Sequence, residues 1–268
     1  MRELTMKTTS ALILIAAVLS LGRLAHAGDP SAELSAADIL NRAQAKYASL
    51  TSYSDDGTTV ATLGALTASS YTFTINLART NLYQIVWRQA GEFYVPKGVV
   101  WSAGDGNFVW MGKGFTPRKT ADREMALASA TGISGGAAAS VPGTFFQMKW
   151  GNQLGGASAD SQRRPDEKLG NIDCYVLTHG KEGRTNILWI GKTDLLIHQI
   201  ENDTTAALMK KMMEEQAKKM PQIRAMLEAS GATIFQDSRS VETHQNIRVD
   251  PPLARADFDF KAPAAAKP

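Results

Sequence analysis

The sequence holds one cysteine, Cys174, so it cannot form an internal disulfide, and in an oxidising compartment its stability must come from a packed core. Histidine is also scarce. Beyond the first 27 residues there are only His179, His198 and His244. None stands within a few residues of another or of Cys174, so no zinc-type ligand spacing exists. Neither charge predominates, with 29 Lys and Arg against 26 Asp and Glu. The clustered cations that a nucleic-acid backbone rewards are missing, and no nucleic-acid partner is expected. No apolar run approaches the roughly 20 residues that cross a bilayer.

One shorter apolar run, over residues 11–21, follows Arg2 and Lys7 and precedes Ala25-His26-Ala27, a small-x-small site before Gly28. This is the pattern of a cleavable secretory signal. Residues 1–27 are therefore expected to be removed and the mature chain to be periplasmic. A lipid anchor would need a cysteine just after the run, so the mature protein is expected to diffuse freely and not to span the membrane. Residues 28–260 suffice for one domain of the size common among sheet and barrel folds.

Residues 35–50 place Ile39, Leu40, Ala43, Tyr47 and Leu50 at helical spacing, with Ser35 as N-cap and Asp38 at the third helical position. From Tyr53 the period changes to two. Tyr71, Phe73, Ile75 and Leu77 alternate with polar residues, as do Tyr83, Ile85 and Trp87, and turn signals recur as in a meander of hairpins. The pattern breaks over residues 120–150, where two short helical pieces flank an Ala/Gly/Ser-rich loop. Strands resume at residues 172–178, 185–190, 195–201 and 233–248. Between the last two, residues 204–230 read as a helix repeating Met209, Met213, Met220, Ile223 and Leu227, kinked or split at Pro221. The Ala/Pro/Lys tail, residues 261–268, is expected to be disordered. The fold class is α+β: a curved antiparallel sheet, an incomplete β-barrel, with helices covering its concave face.

Three patterns raise catalytic chemistry and none carries it. Gly132-Ile133-Ser134-Gly135-Gly136 matches a nucleophile elbow, but Ser134 lies in a small-residue loop instead of on a strand-to-helix turn. Asp55-Asp56 and Asp257-x-Asp259 have no accompanying histidine motif and fit turn and strand-end solvation. Cys174 alternates with Ile172 and Val176, which makes it a buried small hydrophobe. No cofactor or metal is expected, and the protein is not read as an enzyme; a serine hydrolase built on Ser134 is the weakest alternative. The apolar residues are the larger asset. Tyr71, Phe73, Ile75, Tyr83, Ile85 and Trp87, with Trp101, Phe108, Trp110 and Trp189, are expected to line an apolar cavity. Met209, Met213 and Met220 then serve as an adaptable lid, or alternatively as a helix that closes the core.

Several short motifs in a fixed order resemble the periplasmic outer-membrane lipoprotein-carrier (lipoprotein-sorting, Lol-type) superfamily. They are Leu50-Thr51-Ser52-Tyr53, the strand pair through Leu77-Ala78-Arg79-Thr80-Asn81-Leu82-Tyr83, and the stretch from Trp101-Ser102-Ala103-Gly104-Asp105-Gly106 to Asn107-Phe108-Val109-Trp110. Ile172-Asp173-Cys174-Tyr175-Val176-Leu177, Leu188-Trp189-Ile190 and Phe258-Asp259-Phe260-Lys261 follow. The resemblance implies a half-barrel that receives acyl chains, gated by an arginine at the place of Arg79, although threonine follows here where the carriers have proline. The Met-rich insertion has no counterpart in the compact carriers. The chain is read as a non-enzymatic binder of lipid or of lipoprotein acyl chains, with an inner-membrane donor and an outer-membrane acceptor as further partners. An envelope sensor or protein-interaction module on the same half-barrel is the alternative.

Overall fold

A capping box opens the first helix, α1 (Ala36–Ser49), as the spacing of Ser35 and Asp38 predicts: Ser35 Oγ accepts the Asp38 N–H at 3.1 Å and the Asp38 carboxylate accepts the Ser35 N–H at 3.3 Å. Its apolar stripe, Ile39, Leu40, Ala43 and Tyr47, is buried. The computed structural model describes residues 33–91, 97–112, 114–155, 160–220, 222 and 235–262. The expected signal segment, the last tail residues, and Pro221, Ile223 and Leu227 lie outside them. The contacts from Leu34 onward form one compact unit.

Six strands follow α1 directly: β1 (Ser52–Leu63), β2 (Leu66–Ala78), β3 (Leu82–Gln89), β4 (Lys97–Ala103), β5 (Asn107–Trp110) and β6 (Arg118–Thr120). Two helices come next, α2 (Arg123–Thr131) and α3 (Ser140–Phe145), joined through a 3₁₀ turn at Gly132–Ser134. Then come β7 (Gln162–Leu169), β8 (Ile172–Lys181), β9 (Arg184–Gly191), β10 (Ile197–Thr204), helix α4 (Ala206–Lys219) and β11 (Ser238–Val249). All eleven strands pair antiparallel in one sheet, in the order β6-β5-β4-β3-β2-β1-β11-β10-β9-β8-β7. The sheet does not close, because β6 and β7 remain its two edges. It is the α+β incomplete barrel that the alternation and hairpin signals predict.

The topology decides what covers the sheet. β6 and β7 are consecutive strands at opposite edges, so the chain between them must cross the whole sheet, and it does so with α2 and α3 on the concave face. Ala126, Leu127 and Ala130 of α2, Ala137 and Ala138 of the loop, and Val141, Phe145 and Phe146 at α3 join Ile39, Leu40 and Tyr47 in the main core.

Two expectations need correcting. Trp101, Phe108, Trp110 and Trp189 are not on this face. Trp101 pairs with Gln84 and Phe108, one residue out of phase with Ile85 and Val100, which share the core face. With Val99, Trp110 and Phe260 they form a separate cluster on the convex side, where the C-terminal segment packs on them: Phe260 stands 5.1 Å from the Trp101 ring. Trp189 joins Cys174, Val176 and Ile187 in another cluster outside the main core. Helix α4, the second misplaced element, leaves Met209 and Met213 half-buried and Met220 42 % exposed, and none of the three belongs to the core under α2 and α3. It is anchored where β10 ends: Thr205 Oγ1 caps it at Leu208 N, and the Thr205 N–H donates to Gly183 O at 2.8 Å.

Candidate functional site

Register builds the concave face row by row. Antiparallel pairing sets Trp87 beside Phe73, Phe73 beside Gly57 and Gly57 beside His244. A second row runs Tyr71, Thr59, Glu242, Ile200, Leu188 and Leu177. A third sets Ile85, Ile75 and Asp55 side by side. Of the sequence-predicted lining, Tyr71, Phe73, Ile75, Tyr83, Ile85 and Trp87 share this face and are buried. Gly57 is required within it, since a Cβ there would collide with the Phe73 ring and the Thr243 carbonyl. Gly135 does the same from the cover: at φ +67° it lets the loop approach to where a Cβ would stand 2.6 Å from Tyr71 Cδ2.

The cover is held by a few polar and cation–π contacts. Arg79, in the β2–β3 turn, donates from Nε to Leu50 O at 3.1 Å and from Nη2 to Tyr47 O at 2.9 Å. It thereby pairs a cation with the carbonyl end of α1, where the helix dipole favours one. The same guanidinium lies 4.3 Å over the Phe145 ring, and Arg123 lies 4.1 Å over Phe146. Burial, followed by the neighbouring Arg123 charge, lowers the Arg79 pKa from its ordinary value. Arg79 thus touches both α1 and α3, where the resemblance places a gating arginine. Phe145 and Phe146 meet edge to face at 5.0 Å, and Phe146 continues onto Tyr83 at 6.1 Å.

Beneath the cover lies a polar island that the sequence reading missed. His244 Nδ1 stands 2.7 Å from Asp55 Oδ2, and His244 Nε2 stands 3.1 Å from Glu242 Oε1. Tyr53 donates its hydroxyl to the same Asp55 Oδ2 at 2.7 Å, and Ser140 of α3 donates to Glu242 Oε1 in a very short bond. Burial alone would pull the imidazole pKa down, but the Asp55 charge and hydrogen bond, aided by Glu242, outweigh it and push His244 up to about 10. The expectation of a solvated Asp55 is thus corrected: Asp55 and His244 are 1 % and 2 % exposed. Alternation gave one available signal, since Glu242 and His244 share a face of β11. Their meeting with Asp55, 189 positions away from His244, depends on register alone.

Ser134 has no hydrolase geometry. It is fully buried, its hydroxyl donates to Thr131 O at 3.1 Å and accepts the Ala138 N–H at 3.1 Å, and among the described residues no histidine is bonded to it. Its role is to fold the loop between α2 and α3. On the convex face, a groove of about 730 Å³ lies at the far end of β1 and β9 to β11, lined by Val60, Val241, Thr185, Asp203 and Arg239. Among the described residues no helix is long and apolar enough to cross a membrane.

No family model matches the chain, and no curated protein matches it. Solved structures do. The chain is similar to a DUF1329 family protein from Desulfovibrio piger, at 13 % identity over 83 % of this chain and 95 % of that one, with a TM-score of 0.36. It is similar to a LolA superfamily protein from Nitrosomonas europaea, at 10 % identity over 85 % and 99 % of the two chains and a TM-score of 0.33. It is also similar to MucB of Pseudomonas aeruginosa, in a structure of its complex with MucA, at 9 % identity over 84 % and 60 % and a TM-score of 0.41.

Proposed function

We propose that the protein is a periplasmic, non-enzymatic carrier of an apolar ligand, lipid or the acyl chains of a lipoprotein. The observation that carries this reading is the cover. An unclosed sheet presents a broad apolar face, and the segment over it is rich in alanine and glycine and tethered at Arg79 and Ser140. From Ala126 to Met148 its core residues are alanines apart from Leu127, Val141, Phe145, Phe146 and Met148, and such a cover gives up less apolar contact on lifting than one of large side chains throughout would. Each acyl CH₂ that takes its place is worth about 0.8 kcal/mol, so a chain of ordinary length can offset the loss. Transfer needs release as well as uptake, and a cover of modest stability supplies both. The donor and acceptor would be membrane proteins of the two bilayers.

One observation favours a second reading, the sensor or protein-interaction module: the protein's own Leu127, Phe145 and Phe146 fill the concave face. Lipid extraction and mass spectrometry of protein purified from its native periplasm separate the two. Co-purifying lipid in near-stoichiometric amount is expected of the carrier; protein free of lipid that also ignores a fluorescent fatty acid supports the module.

A further inference from the structure

The concave face is largely apolar around the island, and the island's charges are not balanced. Asp55, Thr59, Glu242 and His244 are 1, 1, 5 and 2 % exposed. They stand on β1, the central strand, and its neighbour β11, with Thr59 directly opposite Glu242 and His244 opposite Gly57. Two carboxylates flank one imidazole, so even a protonated His244 leaves one negative charge without a counter-charge in the cluster. Buried charge of this kind is costly unless it is paired. Three atoms of the island have no hydrogen-bond partner among the described residues: Asp55 Oδ1, an acceptor, Thr59 Oγ1, and His244 Nε2, which meets Glu242 Oε1 only as an ion pair at 3.1 Å. A side chain as deep as Thr59 ordinarily satisfies its hydroxyl, and an orphan there calls for an explanation. Among the described residues, the one donor that reaches the island from the cover is the Ser140 hydroxyl, at the start of α3. Lifting α3 would withdraw it and leave Glu242 Oε1 short of a donor as well.

We propose that this island is the head-group subsite of the concave face and that it selects apolar ligands bearing a protonated amine. An ammonium group carries three donors and one positive charge. The island offers an unfilled acceptor at Asp55 Oδ1, a second at Glu242 Oε1 once α3 lifts, the Thr59 hydroxyl, and an excess negative charge. A carboxylate head would meet two like charges there and would be held at the mouth of the face instead. The aromatic rings of Phe73, 5.4 Å from the His244 ring, and Tyr71 border the island and continue into the apolar wall that would take the alkyl chain.

This inference rests on the carrier reading, and its test separates the two. Hexadecylamine, hexadecanol and palmitate each compete with a neutral fluorescent alkyl probe for the full-length mature protein at neutral pH. The amine is expected to compete at least about tenfold better than the alcohol, the low end for hydrogen bonds to a charged group, and palmitate worse than either. Asp55→Asn and Glu242→Gln should bring amine and alcohol to parity with alcohol affinity kept. Thr59→Val, which keeps shape and charge, should narrow the gap should either carboxylate variant fail to fold. Equal competition by all three ligands in the wild type, or preference for palmitate, overturns the subsite while the carrier stands. Failure of the probe and all three ligands to bind overturns the carrier reading and the subsite with it.

Discussion

At the scale of single residues, His244 sets a pH dependence whose sign follows from its partners. Its folded pKa, about 10, lies above the ordinary histidine value of 6.5. The stability it contributes is therefore full below about pH 6.5 and is lost as pH rises through about 10. Thermal melts of the wild type should fall steadily across that window. His244→Gln should flatten this alkaline decline and, by leaving Asp55 and Glu242 buried without a cation, cost about 3–5 kcal/mol at neutral pH. An alkaline decline as steep in the variant as in the wild type would remove His244 from the account. Arg79 is the other residue with two roles, since it caps α1 and lies over Phe145. Arg79→Leu is expected to cost about 1–3 kcal/mol in denaturant melts and to speed release of a bound acyl probe. Stability lost with release unchanged would make Arg79 structural only.

At the scale of elements, the covering segment and α4 divide between them what the sequence assigned to both. Methionine spacing reports that a helix has an apolar stripe but not which surface meets it, and α4 leaves the end of β10 instead of crossing the sheet. The segment holding α2 and α3 must cross, because it joins the two edge strands. Leu127→Asp, in the core, should cost about 3 kcal/mol or more, whereas Met213→Asp, half-buried on α4, should cost less than about 1 kcal/mol and leave acyl-probe binding unchanged. Chemical denaturation of both variants checks this, and a Met213→Asp defect as large as that of Leu127→Asp would return α4 to the core. α1 was legible to its cap, because its signals are local: Ser35, Asp38 and a stripe of period 3.6. β2 and β3 were legible as strands with a buried face. β4 was not legible in this way, because Val99, Val100 and Trp101 are buried on both faces and alternation vanishes when a distant segment, here Phe260, covers the second face. The island stayed hidden for the related reason that its members meet through strand register across most of the chain.

At the scale of the whole molecule, eleven strands in one open sheet make a face too broad for α1 alone, and the chain's return from edge to edge supplies the rest of the cover. The central claim is that this return segment lifts to admit an apolar ligand while the sheet holds. Amide hydrogen exchange with and without a saturating long-chain ligand tests it most directly. The account expects ligand to speed exchange across α2 and α3 and to leave β1, β2 and β11 protected. Ligand that binds with α2 and α3 still protected, or that changes exchange only at the convex groove beside Val60 and Val241, would contradict it.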